Sequence, residues 1–168
     1  MYFNINTYDS DCSTSFTSSY RKAHKIKFLL EEIPTLEHRK KQQPDLYLNW
    51  KCPSCHLYDE TFNHVWQCSY HSRKLHNIVI NTKHWIINEV KAQFNADASF
   101  VDLAHDSLWT NFDTPHLNFI DLIKGIIPKF FVIFLKKFTS SSVKINSFIF
   151  SLYHFIYTSI MEDIWIPR

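Results

Sequence analysis

Apolar side chains recur at helical spacing along most of the chain, and the breaks between those runs set its organisation. Residues 20–32 place Ile26, Leu29 and Leu30 on one face, continued by Ile33, with Arg21, Lys22, Lys25 and Lys27 opposite, and predict a first helix. Pro34 breaks it. Thr35 then supplies a cap for a short second helix over 36–43, which stops at Pro44. Residues 45–50 read as a short extended segment. From 72 to 94, Leu75, Ile78, Val79, Ile86 and Val90 repeat near the helical period, with Asn81-Thr82 as an interruption. Residues 95–117 read as a linker or short helical pieces, because Asn95, Asp97, Asn111, Asp113 and Pro115 break the pattern. Gly125 and Pro128 divide the apolar stretch 119–138 into two short helices. Serines at 140–142 precede the last, 143–163, roughly five to six turns at 3.6 residues each.

That last segment carries an apolar stripe of Ile145, Phe148, Ile149, Leu152, Ile156 and Ile160, and Phe150, Tyr153 and Tyr157 widen it to most of the circumference. Such a helix is buried in a bundle or against a partner. Seventeen residues between Lys144 and Glu162 lack Asp, Glu, Lys or Arg, near the lower limit for a bilayer span. Asn146, Ser147, Ser151, His154, Thr158 and Ser159 interrupt them and argue against one. Three helices over 72–94, 119–138 and 143–163 are too few to enclose Phe148, Phe150, Tyr153, Phe155 and Tyr157. An uncovered aromatic face, open to a protein partner or to self-association, is therefore expected.

Composition narrows the classes. Glycine occurs once, at Gly125, which excludes phosphate-cradling glycine loops and disfavours all-β folds, whose turns consume glycine. A length of 168 residues suits one ordinary domain, or a small module beside a helical domain. The polar, serine-rich residues 1–19 read as a disordered tail, with no apolar core of a signal peptide. Net charge is only +2, but residues 20–91 hold twelve Lys/Arg against seven Asp/Glu, while 92–168 hold six against seven. Within the basic half, Arg39-Lys40-Lys41 is the densest run, suited either to a solvated helix face or to phosphate.

The same half carries Cys52-Pro53-Ser54-Cys55, then His64 and Cys68, spaced C-x2-C-x8-H-x3-C. Two close pairs of soft ligands across a short spacer suit a closed tetrahedral Zn²⁺ site. Pro53 pre-sets the first turn, and the three-residue gap puts His64 and Cys68 on one side of a helical turn. Asp59-Glu60-Thr61 offers cap-type side chains just before that turn. Three thiolates and one imidazole fill the zinc shell, so the site reads as structural rather than catalytic. The cluster carries a formal charge of −1, for which Lys51, Arg73 and Lys74 are nearby cations. His56 stands where such turns often carry glycine; His56 and His71 are alternative fourth ligands. Cys12, far away in the polar tail, is expected to be a free thiol. Cysteines committed to metal point to a reducing, intracellular location, cytoplasmic or nuclear.

Residues 29–68 resemble the zinc-binding region found downstream of the polymerase in non-LTR (LINE-type) retrotransposon reverse transcriptases. The match is carried by Ile33-Pro34-Thr35-Leu36, Trp50, Cys52-Pro53-Ser54-Cys55, Glu60-Thr61-Phe62 and His64-Val65-Trp66-Gln67-Cys68. It departs from the family in having Ile33 for leucine and no glycine after Cys55. The resemblance implies a module that helps a retroelement protein hold RNA or DNA. No Tyr-x-Asp-Asp polymerase step occurs, and Asp97, Asp102, Asp106, Asp113 and Asp121 read as caps and surface. No enzyme is expected, but a tail fragment of a truncated element. The expected fold is mainly α: a small zinc knuckle (turn plus helix) within a module over 20–70, joined to a helical C-terminal domain over 71–168. Arg39, Lys40, Lys41, Lys51, Arg73 and Lys74 are candidates to meet phosphates, and Trp50, Tyr58 or Trp66 to stack a base, though Trp66 equally suits a core. The alternative is a structural or protein-interaction relic in which zinc only stabilises the fold.

Overall fold

The computed structural model describes residues 2–3, 16–103, 106–109 and 118–167. It is mainly α. Cys12, most of the expected disordered tail, and the breakers Asn111, Asp113 and Pro115 lie outside the described residues. The chain divides into two compact units, residues 5–73 and residues 74–167, with residues 1–4 belonging to the second. Among the described residues, no helix is long and apolar enough to cross a membrane.

The first unit opens with α1, Phe16–Leu29, which starts inside the stretch read as disordered. Its buried positions also differ from the expected stripe. His24 and Phe28 face inward, whereas Ile26 and Leu30 are exposed. The reason is that the helix stops at Leu29 and Glu31 takes a φ of 60°, so Ile33 enters the core from a turn and not from the helix face. Next come α2, Leu36–Gln42, capped by Thr35, and α3, Pro44–Tyr47, a single turn where an extended segment was expected. Pro44 at the first turn needs no N–H partner and favours helical φ, which accounts for that turn. Then α4 covers Phe62–Gln67 and is capped by Thr61. Phe28, Phe62 and Trp66 form an aromatic core, with ring centroids 6.3 Å (Phe28–Trp66) and 5.7 Å (Phe62–Trp66) apart. Trp66 is therefore a core residue and is removed from the candidates for base stacking.

Helix α5, Ser69–Phe94, begins in the first unit and continues into the second. Asn81-Thr82 does not interrupt it, because the buried Thr82 hydroxyl donates to the Ile78 carbonyl at 2.7 Å and is satisfied inside the helix. Two 3₁₀ turns, Phe100–Leu103 and Asp106–Trp109, follow. Gly125, at φ 84°, and Pro128 separate α6, Phe119–Ile123, from α7, Lys129–Lys136. Between them β2, Ile126–Ile127, pairs antiparallel with β1, Tyr2–Phe3. The last helix, α8, Ser142–Ile160, is capped by Ser141 and runs into a short π-helix, Met161–Trp165.

All six stripe residues of α8 are buried. Its aromatic rings are mostly covered, contrary to the uncovered face expected from three helices. Phe148 and Tyr153 are buried, Phe155 stacks on Trp85 at 5.4 Å, and Phe150 alone of the five is exposed. Trp85 and Phe94 of α5 and Phe131 of α7 close over Phe148, a lateral fit that segment counting does not see.

Candidate metal centre

The turn around Cys52–Cys55 is folded by its own backbone. The Cys52 N–H donates to the Tyr58 carbonyl and the His56 N–H to the Cys52 carbonyl, both at 2.8 Å, so the chain doubles back within seven residues. His56 takes a φ of 58°, the left-handed conformation that glycine adopts without strain. Replacing His56 with glycine is expected to stabilise the metal-loaded protein by about 1 kcal/mol, the strain a side chain incurs there. Denaturation monitored by circular dichroism checks this, and a less stable variant would assign the His56 side chain another task. On the other side, the Thr61 hydroxyl accepts the His64 N–H at 3.0 Å and starts α4 at the histidine's own turn. Cys68 lies one residue past the helix, with ψ 124°, yet its N–H still donates to the His64 carbonyl at 2.8 Å.

These elements bring Cys52, Cys55, His64 and Cys68 together, with one ligand atom from each and all four within 4.8 Å of one another. Cys55 Sγ and His64 Nε2 are 3.4 Å apart. A sulfur and a nitrogen on one tetrahedral zinc, at about 2.3 Å and 2.0–2.1 Å, lie about 3.6 Å apart, close to the Cys55–His64 separation. Cys52 and Cys68 are buried, while Cys55 and His64 are half-buried. None of the three cysteines is in a disulfide.

The two other histidines of this region are placed apart from that role. His56 is exposed. His71 is buried, its Nδ1 3.0 Å from the Val65 carbonyl and its Nε2 2.9 Å from the Ser54 hydroxyl. With Nδ1–H donating to the carbonyl, Nε2 accepts the Ser54 O–H, and the ring ties the cysteine turn to α4.

The thiols report a field that asks for a cation. Burial opposes ionisation of Cys55, but N–H groups of Leu57 and Tyr58, with His64 and Cys52, outweigh it and bring the thiol down to about 6. Cys68 is pushed up to about 11 by burial and by the nearby charges of Cys52 and Cys55, against a favourable N–H from Tyr70. Three thiolates at this spacing repel one another, and a divalent ion between them removes the repulsion.

Glu60 does more than cap. It is buried, and its Oε2 accepts the Leu36 N–H at 2.8 Å while its carbonyl accepts the Glu37 N–H at 3.0 Å. It thus satisfies the first turn of α2 from 24 residues away and clamps that helix to the cysteine segment. The signal was present in the sequence as an acidic residue beside Thr61, but its partner was not.

Three of the six basic candidates are in ion pairs. Lys40 and Lys51 both meet Asp59, at 2.6 Å and 3.2 Å, and these hydrogen bonds, Lys40 first, hold the Asp59 carboxyl below the usual range. Lys41 pairs with Glu37 at 3.2 Å. Arg73 is exposed and Lys74 half-buried, both on α5. Arg39 differs. Its guanidinium lies 5.8 Å from the centroid of the Tyr47 ring, and among the described residues it is in no ion pair. Tyr47 was not singled out from the sequence, since its value rests on Arg39 arriving from another helix.

Comparison with protein-family models, with curated proteins and with solved structures finds no match to this chain. The centre is therefore defined by its own geometry: a Cys3His group able to hold a metal ion in a mainly α chain.

Proposed function

We propose that the chain is a non-catalytic zinc-binding module of the type found downstream of the polymerase in LINE-type reverse transcriptases, and that it binds RNA or DNA. One observation carries the reading: the motif residues act as one assembly around four converging ligands. Thr35 and Thr61 cap helices, Ile33, Leu36 and Trp66 are core, and Glu60 joins α2 to the cysteine segment. Zinc is the ion of choice for three thiolates and an imidazole, and four protein donors leave no open position for substrate. Free thiols suit a reducing compartment, so a cytoplasmic or nuclear location is part of the proposal.

The test is salt-dependent binding. Purified, metal-loaded protein should bind nucleic acid with log K falling linearly against log salt. Replacing Arg39 and Lys41 together with alanine is expected to flatten that slope by about 0.7–0.9 for each phosphate no longer neutralised, similarly for all sequences. Lys40 is left intact because it serves Asp59. Exposed Leu46, Leu48 and Leu57 favour the second reading, a protein-interaction relic. A complex whose affinity ignores salt would select that reading.

A further inference from the structure

Of the four basic residues between 39 and 51, three have carboxylate partners, and the fourth, Arg39, has none among the described residues and lies over the Tyr47 ring. Arg39 lies 5.8 Å from the Tyr47 ring centroid, and Tyr47 and Trp50 meet edge to face at 5.2 Å and 77°. The Trp50 N–H donates to the Tyr47 carbonyl at 3.0 Å, which fixes the two rings on one short turn. Trp50 is nonetheless 54% exposed. An edge-on approach covers at most one face of an indole, so the other remains open for stacking.

We propose that Arg39, Tyr47 and Trp50 form a stacking platform for unpaired bases, and that this module binds single-stranded nucleic acid in preference to duplex. The inference rests on the nucleic-acid reading above and names its substrate class. An open indole face accepts a base of any sequence, but only one that is not stacked inside a duplex. The Arg39 cation, uncompensated within the described residues, complements the phosphate that accompanies each base. Stacking and phosphate pairing do not use the 2′-hydroxyl, so RNA and DNA single strands are both ligands. Charge complementarity favours this occupant over a protein groove-filler, which would leave Arg39 against an apolar surface.

Fluorescence anisotropy with labelled oligouridylate, oligothymidylate and a duplex of equal length tests the proposal on the full, metal-loaded chain. Both single strands should bind at least about tenfold tighter than the duplex at the same salt. Trp50→Ala should weaken single-strand binding by about fivefold to a hundredfold while leaving duplex binding unchanged. Its salt slope should stay that of the unsubstituted protein, because no cation is removed. Trp50→Phe should restore most of the affinity, and zinc content should be the same in both variants. Equal affinity of Trp50→Ala and the unsubstituted chain, or duplex bound as tightly as single strand, would overturn the platform and leave the nucleic-acid reading standing. So would a dimer in sedimentation that Trp50→Ala dissociates, since the ring would then serve a second copy. Absence of salt-dependent binding to every probe sinks both readings together.

Discussion

Chelation is expected to abolish hydrogen-exchange protection across residues 45–70 while α8 keeps its own. Within the cysteine turn, residues 52–58, Cys52 is the one buried side chain, so the turn has little apolar packing of its own. Without the ion the four ligands lose their common partner, and the turn at 52–58 keeps two backbone hydrogen bonds and the Ser54–His71 contact. Metal binding to such sites carries an apparent free energy of about 10–16 kcal/mol in small zinc-finger peptides. Cys68→Ser should reproduce the chelated state without chelator. The later helices draw on a separate apolar core and should keep their far-ultraviolet circular dichroism. Elemental analysis finding well under one zinc per chain, or protection unchanged by chelator, refutes this account of the centre.

Phe148→Ala should have the opposite selectivity and cost about 3–5 kcal/mol, the usual range for emptying a fully buried aromatic site. Phe148 has no exposed surface, and its ring lies 5.5 Å from Trp85, 5.8 Å from Phe94 and 6.4 Å from Phe131. Removing it opens a cavity at the point where α5, α7 and α8 converge, and aromatic walls on that scale collapse only partly. Denaturant unfolding followed through α-helical signal should show the midpoint fall, while zinc stoichiometry stays at that of the unsubstituted chain. A destabilisation below about 1 kcal/mol would mean the three helices do not rely on this ring.

What the sequence determined by itself is local. Cysteine and histidine spacing was enough to pick out the Cys/His group, because a C-x2-C turn and an i, i+4 pair are each built within one turn of backbone. Thr35 and Thr61 as caps, Gly125 and Pro128 as breakers, and the buried stripe of α8 were legible for the same reason. The mainly α class followed from the scarcity of glycine and the helical period.

What only the tertiary structure decided is which of several locally equivalent groups finds a distant partner. Glu60 reaching Leu36, Lys40 and Lys51 sharing Asp59, and Tyr2–Phe3 pairing with Ile126–Ile127 all join segments whose separation along the chain leaves no periodic trace. The same holds for α1, where sequence spacing offered Ile26 and Leu30 to the core and the fold took His24 and Phe28. An apolar side chain is buried by the surface it meets, and that surface is assembled from other segments. Arg39 shows the consequence for function: in the sequence it is one of three adjacent cations, and among the described residues it is the one of the three without a carboxylate, lying on Tyr47.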